Sequence, residues 1–289
     1  MKRSIFTFVF TLGMVCIPTS LVNCQIRHEN ANDSVRYLHP IFESVDIEKD
    51  IVFGEVVNLK GERESLTLDV YTPFGDTEIN RPAILWIHGG GFRVGNDKTQ
   101  GYIVEMAKRF ARRGYVGVSI NYRVRENPRE DIEGTLSNAL EDAMSGLNWL
   151  RENSEKYHID KHKVIVGGGS AGGMIAVILC YKDGADTEKW DKSGIIGLID
   201  LWGSPDPSWR VSMVDKNDPP TVIVHGTEDP MVPYINSELL MKELKRKKVK
   251  CKIIPVEGAG HTPTGHMDDF AVKIARFLYE LIQKGPDPS

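Results

Sequence analysis

Short apolar runs alternate with stretches of helical spacing along most of the chain. The runs are Ala83–Ile87, Tyr115–Ile120, Lys163–Val166, Ile195–Leu201, Thr221–Val224 and Lys252–Val256. Unbroken Val/Ile-rich runs of this length predict strands covered on both faces, as in a parallel sheet. Between them, helical stretches are predicted near Tyr102–Arg113, Gly134–Glu152, Ala171–Lys182, Tyr234–Lys247 and Asp268–Gln283. Two earlier segments, Ile51–Val57 and Ser65–Tyr71, alternate apolar and polar positions and meet through Lys60-Gly61. That pattern predicts an antiparallel hairpin. The whole reads as an α/β domain over residues 51–289. It has about eight strands, the first two antiparallel and the rest mainly parallel, with helices on both faces. Residues 25–50 are polar and irregular and read as an arm over the surface.

Composition narrows the class. Hydrophobic residues make up 41% and charged residues 26%, which excludes a disordered, collagenous, coiled-coil or polytopic membrane chain. Lys and Arg number 36 against 40 acids, a net charge of −4. Nucleic-acid binding therefore receives no electrostatic support.

The N-terminus reads as an address. Lys2 and Arg3 precede an apolar run from Ile5 to Ile17, which Pro18 breaks. This is the layout of a signal peptide over residues 1–24, and the run is too short to span a bilayer. Leu21-Val22-Asn23-Cys24 resembles a bacterial lipobox, with Asn23 where a small residue is usual. Lipidation of Cys24 and ordinary cleavage between Ser20 and Cys24 both stay open. Export to the periplasm or medium is expected, with membrane attachment only through a lipid on Cys24. Two cysteines remain, Cys180 and Cys251, either as buried free thiols or as a bonded pair.

The chemistry sits in four loops. Gly168-Gly169-Ser170-Ala171-Gly172 follows a strand and opens a helix, the context of a G-x-S-x-G nucleophile elbow. Gly167, Gly169 and Gly172 also spell G-x-G-x-x-G, but this follows about the fifth strand rather than the first. No acid stands cleanly at the end of the next strand. His88-Gly89-Gly90-Gly91 follows the strand Ala83–Ile87. Three glycines leave backbone N–H groups open to an oxygen that becomes negative. Asp229 lies beyond Thr221–Val224, and His261 beyond Lys252–Val256. The order Ser170, Asp229, His261 is that of a hydrolase triad. His225 and His266 are rival bases, and Asp206 and Glu228 rival acids. Tyr122, Trp202 and Trp209 are candidates for the substrate wall.

With these motifs, the sequence resembles α/β-hydrolase esterases with an HGGG oxyanion loop, from about Ile51 to Gln283. It is related in pattern to the carboxylesterase and hormone-sensitive-lipase-like families and similar to secreted feruloyl and acetyl esterases. Asn121-Tyr122-Arg123 and the helix from Asp142 to Asn153 carry the resemblance further. Gly169 departs from it, since those families often place Asp or Glu before the serine. The short Leu201–Pro220 segment departs too, leaving little to build a lid. The resemblance implies an α/β-hydrolase fold and a serine carboxylesterase needing no metal or cofactor. Gly90, Gly91 and Ala171 would form the oxyanion hole. The substrate would be a small-molecule or carbohydrate-linked ester with a short or aromatic acyl group. A lipase or peptidase of the same fold, and an inactive binding protein on this scaffold, are the alternatives.

Overall fold

In the computed structural model, residues 35–58, 61–181, 190–205 and 214–284 are described. The predicted signal peptide, the Cys24 motif, Asp206 and Trp209 lie outside them. The alternating segments form β1 (Val45–Val57) and β2 (Arg63–Pro73), paired antiparallel. β2 also runs antiparallel to β4 (Val116–Ile120). From there β3 (Arg81–Ile87), β5 (Ile159–Gly169), β6 (Ile195–Leu201), β7 (Thr221–Gly226) and β8 (Cys251–Val256) are parallel. The eight-stranded order is β1-β2-β4-β3-β5-β6-β7-β8, an α/β-hydrolase sheet. The helices are α1 (Gly101–Ala111), α2 (Ile132–Glu152), α3 (Ala171–Tyr181), α4 (Tyr234–Arg246) and α5 (Met267–Lys284).

The period-two geometry of β3 explains its unbroken apolar run. Successive side chains point to opposite faces of the sheet. Ala83, Leu85 and Ile87 join a core with residues of α2, α3 and α4, including Leu147, Ile175 and Leu240. Ile84 and Trp86 join a second core with residues of α1 and α5, including Phe110 and Phe270. With helices on both sides, both faces of the Ala83–Ile87 stretch are buried and apolar. α3 is apolar all round, and ten of its 11 residues are buried, as a helix in the middle of a domain requires.

Two boundaries differ from the sequence reading. β1 begins at Val45, so residues 45–50 belong to the sheet rather than to the surface arm. Asp46, Glu48, Lys49 and Asp50 crowd this edge strand and hide the alternation of Val45 and Ile47. The register then shifts between Glu48 and Ile51. Asp50 sits at φ 57° and gives its N–H to the buried carboxylate of Asp69 at 3.0 Å. β5 runs on to Gly169, which carries the strand right up to the elbow. Cys180 and Cys251 are free thiols. Among the described residues, no helix is long and apolar enough to cross a membrane.

Candidate active site

Strand order reverses at β3, with β4 on one side and β5 on the other. A crevice opens at such a switch point, outside the C-terminal ends of the strands. β3 runs into His88-Gly89-Gly90-Gly91, and β5 into Ser170. β7 and β8 lead to Asp229 and His261.

Ser170 stands at φ 55°, in the left-handed region. For a residue with a side chain this costs roughly 1–3 kcal/mol and needs support from the surroundings. Its N–H is held by the carbonyl of Leu201 at 2.9 Å. The turn behind it is tight. A Cβ at Gly172 would stand 2.1 Å from the carbonyl oxygen of Ile87, so only glycine lets α3 start this close to β3. Ser170 Oγ donates to His261 Nε2 at 2.9 Å. His261 Nδ1 donates to Asp229 Oδ2 at 2.7 Å. The other oxygen, Oδ1, accepts the N–H groups of Met231 at 2.8 Å and Val232 at 3.0 Å. Burial pushes the Asp229 carboxyl up, but His261 and these two N–H groups outweigh it and hold it below the usual carboxylate range. The sequence therefore names three residues that the fold brings into one hydrogen-bonded line.

The glycine loop lies directly against this line. A Cβ on Gly89 would stand 3.2 Å from Cβ of Ser170. Gly89 N–H is taken by Gln100 Oε1 at 2.8 Å. Tyr122 Oη donates to the carbonyl of His88 at 3.1 Å. Gly90 sits at φ 101° with its α-carbon pressed on Asn96, so that a Cβ would meet Asn96 Cγ at 2.1 Å. The N–H groups of Gly90 and Gly91 make no hydrogen bond among the described residues. Ala171 opens α3, and the first N–H groups of a helix lack an intrahelical acceptor. The glycine loop and the start of α3 thus carry N–H groups without an acceptor among the described residues, the kind of donor an oxyanion requires.

His88 holds the loop from below. It is stacked on Tyr122 with ring centroids 4.2 Å apart, and its Nδ1 donates to the carbonyl of Gly89 at 2.8 Å. Burial pushes its imidazole down to about 4. The unfolded chain takes up a proton near pH 6.5 while the folded chain does not. Stability is therefore full above about pH 6.5 and falls toward pH 4, by up to about 3 kcal/mol. Urea unfolding of the parent and His88→Asn across this range checks it. The variant is less stable, but its unfolding free energy declines less steeply as pH falls.

Two predicted wall residues are placed elsewhere. Trp202 is completely buried, packed edge-on to Tyr102 and Phe270 in the second core. Tyr122 is also buried, beneath the glycine loop. Neither ring presents a surface to a ligand. Trp202 lies in a Gly/Pro-rich stretch, yet β6 ends only one residue earlier and draws its ring inside. Among the rivals, His266 and Glu228 are exposed. His225 is buried and bonds to Asp229 rather than to Ser170.

Sequence reasoning missed Gln100, Asn96 and Tyr102. Tyr102 Oη donates to the carbonyl of Gly169 at 3.1 Å. A Cβ at Gly169 would come within 2.5 Å of that hydroxyl. The tyrosine thus fills the space that a side chain before the serine would take. None of the three sits in a motif, and only the fold brings them to the loop.

Comparison with known proteins agrees with this architecture. The BD-FAE family model matches residues 68–197 and 205–244. Esterase LipC of Mycobacterium tuberculosis is 25% identical over 243 residues, covering 70% of this chain and 58% of that protein. A probable isoprenylcysteine alpha-carbonyl methylesterase of Oryza sativa is 24% identical over 243 residues, covering 70% and 56%. The chain thus spans less than two thirds of the length of these relatives. Among solved structures, the propionate-bound esterase Est2 of Thermogutta terrifontis superposes with a TM-score of 0.66 at 23% identity, covering 83% of this chain and 95% of that one. A truncated carbohydrate esterase from gut microbiota gives 0.66 at 20% identity, covering 84% and 97%. These likenesses establish the fold. The family model extends over more than half of the residues, and the chain belongs to the BD-FAE family.

Proposed function

We propose that this protein is a serine carboxylesterase acting on short-chain or aromatic acyl esters. The observation that carries the reading is the line from Ser170 Oγ through His261 to Asp229, at 2.9 and 2.7 Å. A serine hydroxyl is a weak nucleophile without an adjacent base. His261 Nε2 takes the proton as Ser170 Oγ attacks the ester carbonyl. Asp229 orients the imidazole and stabilises its charged form. The N–H groups of Gly90, Gly91 and Ala171 receive the oxyanion, each worth about 3–4 kcal/mol in the transition state. His261 then protonates the leaving alcohol, and water cleaves the acyl-serine by the same steps in reverse.

The substrate class rests on likeness. The Thermogutta enzyme binds propionate and butyrate, and the gut-microbiota neighbour is a carbohydrate esterase. Acetyl or feruloyl groups on polysaccharides fit both these names and the exported N-terminus read from residues 1–24. The test is hydrolysis of p-nitrophenyl acetate, butyrate and palmitate, followed by release of acetate or ferulate from xylan. Activity that falls steeply with chain length supports the reading. Strong palmitate activity would make the protein a lipase. No turnover with any ester, and no reaction of Ser170, would leave an inactive scaffold.

A further inference from the structure

Behind Asp229 lies a buried polar chain that the triad chemistry does not use. His225 Nε2 lies 3.1 Å from Asp229 Oδ2 and 2.9 Å from the carbonyl oxygen of Val232. His225 Nδ1 lies 2.6 Å from Ser237 Oγ, in α4. Ser237 Oγ lies 2.7 Å from Ser204 Oγ. Ser204 Oγ lies 2.5 Å from Asp200 Oδ2, near the end of β6. Asp200, Ser204, His225 and Ser237 are all at 0% exposure.

The protons in this chain can be counted. Nε2 of His225 faces two acceptors, so it carries a hydrogen. Three links remain between Asp200 and Nδ1 of His225, and each needs one hydrogen. Each serine hydroxyl supplies one. The third must come from an end, either the Asp200 carboxyl or Nδ1 of His225. The alternatives are a neutral acid with a neutral imidazole, or a carboxylate with an imidazolium. The second puts two separated charges in a fully buried site, where loss of hydration penalises both ions. It also sets an imidazolium against Asp229, in competition with His261.

We propose that Asp200 is held as a neutral carboxylic acid whose proton, passed on through Ser204 and Ser237, fixes His225 as the Nε2–H tautomer aimed at Asp229. Burial raises the Asp200 carboxyl, against its hydrogen bond with Ser204, the N–H of Gly203 at 2.9 Å and the pull of His225. The other titratable groups facing the chain are Tyr181, whose hydroxyl bonds to Thr221, and Tyr234, whose ring meets His225 edge-on at 5.7 Å. Neither supplies a positive charge. Asp200 and His225 are positioning residues. They keep Asp229 an anion with a single cationic partner, the His261 imidazolium. This functional consequence rests on the serine-esterase reading, whereas the protonation pattern does not.

The direct test is nitrogen-15 NMR of histidine-labelled full-length protein at pH 7.5, with His225 assigned by its loss in His225→Phe. A neutral Nε2–H imidazole is expected, and an imidazolium would overturn the proposal. Infrared difference spectra between the parent and Asp200→Asn should show a protonated-carboxyl stretch that the variant lacks. Both readouts stand even if the protein hydrolyses no ester. In the pH profile of kcat/KM, Asp200→Asn keeps the acid limb within about half a unit, because its amide donates to Ser204 as the acid does. His225→Phe removes a donor from Asp229, so the carboxylate grips the His261 imidazolium more strongly. Its acid limb moves up by about one unit, and kcat falls about tenfold with little change in KM. An unmoved limb in His225→Phe, or a limb displaced by a unit or more in Asp200→Asn, contradicts the arrangement.

Discussion

Ser170→Ala lowers kcat for p-nitrophenyl acetate by about 10⁵–10⁶-fold and moves the unfolding midpoint by only a few degrees. The size of the first effect follows from the geometry. Ser170 Oγ is the group bonded to His261 Nε2 at 2.9 Å. Without it, water must attack unaided by a covalent intermediate, and only binding and the oxyanion donors remain. The small second effect has its own reasons. The side chain is partly exposed, so losing its hydrogen bond costs about 1 kcal/mol. Alanine in the same left-handed turn carries a strain similar to that of serine. The glycines that close the turn are untouched. Steady-state kinetics and a thermal melt on one preparation check both halves. A variant that loses activity by unfolding would not support the nucleophile assignment.

Asp229→Asn costs about 10⁴-fold in kcat, although the side chain is nearly isosteric. Asp229 Oδ1 is committed to the N–H groups of Met231 and Val232. The asparagine oxygen must therefore occupy that site, which sends its NH₂ group to the Oδ2 position. There it faces His261 Nδ1 at 2.7 Å and His225 Nε2 at 3.1 Å, both of which now donate. To accept from the amide, His261 must move its proton to Nε2. An Nε2–H cannot take the serine proton. The loss therefore appears in kcat with KM little changed. Asp229→Glu should not rescue it, because a longer side chain cannot keep both backbone bonds. A loss below about tenfold would mean that Asp229 is not the partner of His261 during turnover.

Much of the fold is legible in the chain because its central strands are covered on both faces. β3 and β7 are buried at every position, and their Ala83–Ile87 and Val222–Val224 stretches read as unbroken apolar runs. Legibility fails at the edge. β1 faces solvent along much of its length, and its charged residues at 46 and 48–50 mask the pleat. Ser170, Asp229 and His261 were readable because each follows a strand, in an order shared by the fold. The glycine loop was readable because three unhindered amides in a row need three glycines. Trp202 was misread, since residue type and loop context do not tell which side of the chain faces the core. The chain from Asp200 to His225 was invisible for another reason. Its members come from β6, the loop after it, β7 and α4, and no spacing in one dimension links them.

On this reading, Ser170 becomes covalently acylated at this site. This is tested most directly by the intact mass of the protein after treatment with a fluorophosphonate, together with peptide mapping. One adduct per chain is expected, on Ser170, formed at neutral pH, absent from Ser170→Ala and slowed strongly in His261→Ala. An unmodified protein, or an adduct on another residue that persists in Ser170→Ala, would contradict it.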